Sequence, residues 1–314
     1  MMFDMISVGE ILVDLVDEGG MKFSGTVGGA PCNALAQAAK MGSKTAFVGM
    51  VGNDAFGRAC ARQLDELGID RQYLYVTNEA DTTLAFVSLD EKGERDFSFY
   101  RRPGADSLLT VKNIPFDAIA QSRVYLFGGV ALSKDPTMAA VFYSLFKMSG
   151  EKVIKAFDPN LRPALWESLE DAKALGRKAM GLCDVMKLSE EEAVFFSGLE
   201  NPVEGAKALQ KEHEIPLVLL TAGEKGCSVL FGGDLCHLDA CKVDAVDSTA
   251  AGDSFFGAFL HGLLQNDFEK IEELSPAQIL SAVELAQAAA AITVTRKGSI
   301  PALPTAEEVA AFLK

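Results

Sequence analysis

The hydrophobic pattern along the chain alternates between two textures. Residues 5–13 form an apolar run, with Ile6, Val8, Ile11 and Val13, that predicts a buried strand. The turn Gly28-Gly29-Ala30-Pro31 breaks the pattern, and residues 33–41 resume it at helical spacing. Residues 45–51 predict a short strand and 56–67 a helix. Between Tyr73 and Tyr100 the period shifts to two. Thr83-Leu84-Ala85-Phe86-Val87 and Phe97-Ser98-Phe99-Tyr100 flank a turn at Glu91-Lys92-Gly93-Glu94, which predicts antiparallel hairpins. Beyond it a strand-then-helix rhythm returns, with strands over 124–127, 153–157, 185–188 and 217–221. Helices are predicted over 252–264 and 276–294, with a short one from Thr305.

Strands separated by helices imply an α/β fold: a doubly wound, mainly parallel sheet flanked by helices, with its sites at the C-terminal ends of the strands. Asp158, Ser189, Thr221 and Asp253 each fall just after a predicted strand or at a helix start. The period-two region reads as a small β-sheet lid, drawn from about 13–27 and 73–104, on a single domain covering 1–314.

Composition changes this picture in three ways. A hydrophobic fraction of 49% supplies a large core. The formal net charge of −15 excludes nucleic acid and anionic membrane as main partners. An anionic substrate then needs a local positive patch, a divalent metal or helix dipoles to hold it. The six cysteines form no CxxC pair, and Cys236-His237 with Cys241 matches no zinc spacing. The N-terminus has no basic leader, and no apolar run is expected to reach the ~18 residues that span a bilayer. A soluble, reducing, cytoplasmic setting follows as the expectation.

The chain has no GxxxxGK[ST] loop, no GxGxxG between strand and helix, and no HExxH, and only three scattered histidines. What it does have is Asp247-Ser248-Thr249-Ala250-Ala251-Gly252-Asp253, running into the apolar, helix-periodic Ser254-Phe255-Phe256-Gly257-Ala258-Phe259-Leu260. A helix N-terminus offers unpaired N–H groups and partial positive charge, and small residues let an anion approach. A carboxylate beside such an anion hole can deprotonate an alcohol next to a moving phosphate. An aspartate at a helix N-cap after a small-residue turn is the alternative reading.

With the Gly28-Gly29-Ala30-Pro31-Cys32-Asn33 segment, followed by Gly42 and Gly52, and the 247–260 segment in the same order, the chain resembles the ribokinase-like (PfkB) carbohydrate kinases over essentially its whole length. The resemblance implies a catalytic base at Asp253 and an anion hole from the backbone of Ala250, Ala251 and Gly252. The family often has Gly where Ala250 stands, but only backbone donors are required there. It further implies sugar binding by Asp14, Gly28, Gly29 and Asn33, although Asp14 also reads as a solvated loop residue and Asn33 as a helix cap.

ATP and Mg²⁺ are the implied cofactors. Lys187, Ser189, Thr221, Gly223, Gly226 and Gln287 match the nucleotide side, and Glu192 matches the residue that holds Mg²⁺ through water. Here Ser189 replaces the Asn of an N-x-x-E motif, and Gln287 replaces a common Asn. A run of acidic residues at a helix start accounts for Glu192 equally well. The alanines 288–291 either leave room for adenine or pack tightly in the core. Asp247 and Thr249 resemble the start of a loop for a monovalent cation such as K⁺. Relatives pair lid strands, so a homodimer through the lid is the expected assembly.

Three segments resemble the fructokinase branch: Phe157-Asp158-Pro159-Asn160-Leu161-Arg162 continuing to Trp166, the lid run Phe99-Tyr100-Arg101-Arg102-Pro103-Gly104-Ala105-Asp106, and Lys297-Gly298-Ser299-Ile300-Pro301. Arg162 supplies charge near the transferred phosphate, and Arg101 is placed to reach the sugar; a structural ion pair is the other reading of each. Phosphorylation of the fructose 6-hydroxyl is the implied reaction. A kinase for 2-keto-3-deoxygluconate, ribose or aminoimidazole riboside, and a non-catalytic sugar sensor of the same fold, are the alternatives.

Overall fold

The computed structural model describes residues 2–89 and 95–314, so the turn expected at 91–94 lies outside the described residues. Among the described residues thirteen strands occur in two sheets: β1 Met5–Val8, β2 Leu12–Asp17, β3 Phe23–Gly28, β4 Thr45–Gly52, β5 Asp70–Thr77, β6 Leu84–Leu89, β7 Arg95–Tyr100, β8 Val124–Gly128, β9 Ile154–Asp158, β10 Val185–Ser189, β11 Leu217–Thr221, β12 Cys227–Phe231 and β13 Asp234–Leu238. The large sheet has the order β13-β12-β11-β10-β9-β8-β1-β4-β5. It is parallel except for β12 and β13, which fold back antiparallel at one edge.

Alternate residues of the central strands point to opposite faces, and each face carries its own core. Met5, Phe47 and Leu126 pack on one face with the helices Ala30–Lys40, Ala251–Leu264 and Pro276–Val294. Ile6, Val48, Tyr125 and Phe157 pack on the other with Thr137–Lys147, Leu169–Met180 and Pro202–His213. This is the doubly wound arrangement that the strand-and-helix rhythm predicts. Chain order reverses at β1 and β8, and the C-terminal ends on either side of such a switch point are where open α/β sheets bind ligands.

The small sheet has the order β3-β2-β6-β7 and projects over that end. Two boundaries differ from the sequence-based expectation. The apolar run 5–13 is two strands: β1 stays in the large sheet, and β2 leaves for the small one after Gly9-Glu10-Ile11. The strand β5 pairs in parallel with β4, so this part of the expected lid belongs to the large sheet. Strand texture reports a pleated, half-buried surface without naming the partner. The small sheet is also mixed, because β2 and β6 run parallel.

Among the described residues one helix, Pro276–Val294, is long and apolar enough to cross a membrane, contrary to the expectation that no run reaches that length. It is a core helix: Ile279, Val283, Ala286 and Ala289 are buried against the rest of the molecule. Ala288, Ala289 and Ala291 are buried too, which accounts for that small-residue run by packing.

Candidate active site

A cleft of about 350 Å³ lies between the small sheet and the C-terminal ends of β1, β8 and β9. Its walls include Glu10 and Asp14 from one side, Val130, Asn160 and Arg162 from loops after β8 and β9, and Ala250 and Asp253 from the start of the helix Ala251–Leu264. Gly29, Asn33 and Thr249 of the predicted set line it too, whereas Gly28, Ala251 and Gly252 do not.

Asp253 reaches this corner because two helices approach unusually closely. A Cβ on Gly257, one turn after Asp253, would stand 2.1 Å from the Ala34 carbonyl oxygen. Only glycine permits that crossing, and it brings Asn33 opposite Asp253. The Asn33 Nδ2 donates to Asp253 Oδ2 at 2.8 Å. Below them Ser254 Oγ donates to Gln37 Oε1 at 3.0 Å and Thr293 Oγ1 to Ser254 Oγ at 2.8 Å, a buried polar stitch that locks the three helices in register. Burial raises the Asp253 pKa above the usual carboxylate range, against the opposing effects of the Asn33 hydrogen bond and the Lys187 and Arg162 charges.

The turn before Asp253 is built for backbone donors. Ala250 sits at φ 58° and offers no side-chain cap, whereas Ser168, Asn201, Ser275 and Thr305 each cap their helices with a side-chain oxygen. Left-handed backbone explains why glycine suits position 250, and alanine there carries a strain of about 1–2 kcal/mol. The Ala251 N–H donates to the Ser248 carbonyl at 3.3 Å, while the first-turn N–H groups of Gly252 and Asp253 make no backbone hydrogen bond.

Lys187 lies beneath this turn. Its ammonium would be 3.6 Å from a Cβ on Gly252, and it pairs with Asp158 Oδ1 at 2.9 Å. Burial pushes the Asp158 pKa up to about 6 despite that pairing. Burial acts against the Lys187 ammonium as well, but Asp158, Glu192 and Asp253 outweigh it and hold its pKa above the usual lysine value.

Asp14 stands on β2, and Gly28 on the paired strand makes room for it: a Cβ there would lie 2.4 Å from Asp14 Oδ2. Arg101 is a correction to the expectation. It does not line the cleft; its Nε donates to Asp106 Oδ2 at 2.7 Å and its Nη1 to Ser133 Oγ at 2.9 Å. Asp106 is 2% exposed, and a buried carboxylate takes the nearest guanidinium as partner. From the lid, Phe99 lines the cleft instead.

The residues expected on the nucleotide side gather around the ends of β10, β11 and β12. Ser189 and Glu192 form a capping box, and Glu192 also accepts the Leu161 N–H at 2.7 Å. Thr221 Oγ1 donates to the Leu188 carbonyl at 3.1 Å, and Gln287 Nε2 to the Leu238 carbonyl at 2.9 Å. Gly226, at φ 105°, meets the same carbonyl, where a Cβ would come within 2.0 Å. Gly223 is exposed at φ 55°. Asp247 accepts the N–H groups of Thr249 at 2.8 Å and Gly298 at 3.0 Å, fixing the loop that leads to Ala250. Among the described residues no group of three or more His, Cys, Asp or Glu is set to hold a metal ion.

Sequence reasoning missed Glu10 and Asn160 as members of this corner, and placed Asp158 at a strand end without giving it a role. The signal for Glu10 was present, as a charged residue inside an otherwise apolar strand run.

A doubly wound sheet, a small β-sheet over its switch point and a carboxylate beside an uncapped helix start define a phosphotransferase site of the sugar-kinase type. The model of the pfkB family of carbohydrate kinases matches residues 2–306, and the chain belongs to that family. It is 37% identical over 320 residues to a probable fructokinase-4 from Arabidopsis thaliana, covering 99% of this chain and 96% of that one. A double mutant of the Vibrio cholerae O395 fructokinase, solved in its fructose, ADP and potassium ion bound form, superposes with a TM-score of 0.92 at 33% identity, covering 99% of this chain and 98% of that one. The aminoimidazole riboside kinase of Salmonella enterica, solved with aminoimidazole riboside and an ATP analogue, gives 0.88 at 25% identity over 98% and 99% of the two chains. The chain is a sugar kinase.

Proposed function

We propose that this kinase transfers the γ-phosphate of ATP to the 6-hydroxyl of D-fructose, with Asp253 as general base. The observation that carries this reading is the single corner in which the Asp253 carboxylate, the uncapped first turn of its helix and Arg162 face one cleft. Asp253 takes the hydroxyl proton as the oxygen attacks in line. Its raised pKa brings its basicity closer to the task than an ordinary aspartate's would be. The backbone N–H groups of Gly252 and Asp253, with the Ala251 N–H already held by the Ser248 carbonyl, receive the anionic oxygens, and Lys187 and Arg162 counter the repulsive overall charge locally.

Asn33 orients the base through its amide, while Asp14, Gly28 and Gly29 shape the sugar side. The nucleotide lies over Thr221, Gly223 and Gly226. The donor set fits Mg²⁺, a hard cation that keeps its waters and shares phosphates with one or two carboxylates. Glu192, its oxygens already accepting backbone N–H groups, would hold the ion through water. When bound, Mg²⁺ neutralises charge on the phosphates. K⁺ near Asp247 and Thr249 belongs to the same reading.

The exposed apolar side chains of the small sheet and its β2–β3 turn, Val16, Met21, Phe23 and Tyr100, support a homodimer through the lid. Six free thiols suit a reducing cytoplasm.

Fructose is favoured by the relatives named above; aminoimidazole riboside remains the competing substrate, because the corresponding kinase shares the whole fold. A panel of fructose, 2-keto-3-deoxygluconate, ribose and aminoimidazole riboside, assayed by ADP release with product identification, tests this. Fructose 6-phosphate with the highest kcat/KM is expected. A tenfold preference for another sugar overturns the substrate, and no turnover with any of them favours a sensor.

A further inference from the structure

The two connections that carry the lid cross at one point. Residues 9–11 lead from β1 to β2, and residues 28–30 lead from β3 into the helix Ala30–Lys40. They are pressed together: a Cβ on Gly9 would come within 2.7 Å of Pro31 Cγ, and one on Gly29 within 2.6 Å of the Glu10 carbonyl oxygen. Glu10 ties them, its Oε1 accepting the Ala30 N–H at 3.2 Å. Glu10 is 3% exposed, and its Oε2 is buried with no hydrogen-bond partner. One turn into the same helix stands Asn33, the residue that holds Asp253.

We propose that Glu10 is a positioning residue: a neutral carboxyl clasp that fixes the root of the lid to the first turn of the Asn33 helix and so aims the base. A sealed carboxylate whose one donor from across the crossing is the Ala30 N–H is poorly compensated, and burial favours the uncharged acid. The groups facing it agree. Asp106 and Arg101 approach from the segment after β7, Asp253 from its helix and the Cys32 thiol from the Ala30–Lys40 helix, while Asp14 and Arg162 line the same cleft. Burial, reinforced by Asp106 and Asp253, pushes the Glu10 pKa up to about 8, with its own backbone N–H and Arg101 opposing.

The consequence for stability has a definite sign. An ordinary glutamate ionises near 4.5, so between that pH and about 8 the folded chain holds a proton that the unfolded chain has lost. Stability therefore falls as pH rises through this window, and levels off above it.

The catalytic part of this inference rests on the sugar-kinase reading; the stability part does not. The test uses the full chain as wild type, Glu10→Gln and Glu10→Ala. With no substrate present, denaturant unfolding at pH 6 to 8, where Asp158 contributes alike to both proteins, should show the wild type losing stability relative to Glu10→Gln with each pH step. In turnover, Glu10→Ala should lower kcat about 10- to 100-fold with the ATP KM within about threefold, and Glu10→Gln should recover most of that loss. Equal pH slopes in wild type and Glu10→Gln overturn the neutral clasp, and a wild-type kcat in Glu10→Ala overturns the positioning role. If Glu10→Ala does not fold, the pH slope and the Glu10→Gln kcat decide. A wild type that phosphorylates no sugar defeats the kinase reading instead, and the slope difference alone then judges Glu10.

Discussion

The two ends of the site solve different problems with different materials. On the proposed sugar side, buried side-chain atoms stand without partners: Glu10 Oε2 and Asn33 Oδ1 are both sealed and unbonded. Carboxylates there are pushed toward neutrality by burial. On the proposed nucleotide side, Ser189, Glu192, Thr221 and Gln287 spend their polar groups on neighbouring backbone. What faces out is a glycine-rich main-chain turn. One half therefore stores unsatisfied polarity for chemistry, and the other is a satisfied platform whose shape matters more than its side chains. That contrast is expected where a base must be tuned on one side and a large cofactor merely seated on the other.

Changes on the sugar side should then be severe. Gly257→Ala places a methyl against the Ala34 carbonyl, and overpacking of this kind costs about 1–3 kcal/mol. The helices must part, moving Asp253 off Asn33, so kcat should fall by about 10- to 100-fold alongside a lowered unfolding midpoint. Wild-type kcat in a well-folded Gly257→Ala protein would break the link between helix crossing and base placement. Gln287→Ala, on the other side, should cost about 1 kcal/mol of stability for its lost hydrogen bond. The ATP KM should change less than about threefold. A tenfold rise would mean that Gln287 touches the nucleotide after all, and the contrast between the two halves would fail.

The same division governs what could be read from the chain. Asp253 with its small-residue turn is local, a contiguous stretch whose chemistry follows from a helix start, and it falls in the cleft. The helix Pro276–Val294 was legible to the residue because Ser275 and Pro276 mark its start. The break at Gly9-Glu10-Ile11 was not, since no proline or turn cluster separates β1 from β2 and both halves are apolar. The β12–β13 hairpin was legible but passed over: Gly232-Gly233 sits between two short strands, a recognised hairpin signal. Arg101 carried a recognisable motif, yet its charge is spent five residues away on Asp106, a pairing decided by burial. Glu10 stood out locally as a charge in an apolar run and Asn33 by its Gly-Gly segment, but the partner each one holds is set only when distant segments meet.

The central claim is that Asp253 takes the proton. Asp253→Asn keeps size and most hydrogen bonding, so ATP and fructose binding, measured by calorimetry, should stay within about threefold while turnover falls at least about 100-fold. The wild-type kcat/KM should also decline on acidification through a pKa above the usual carboxylate value of about 4, because only the ionised form accepts the proton. An Asp253→Asn enzyme that turns over at near the wild-type rate, with binding intact, would contradict the account.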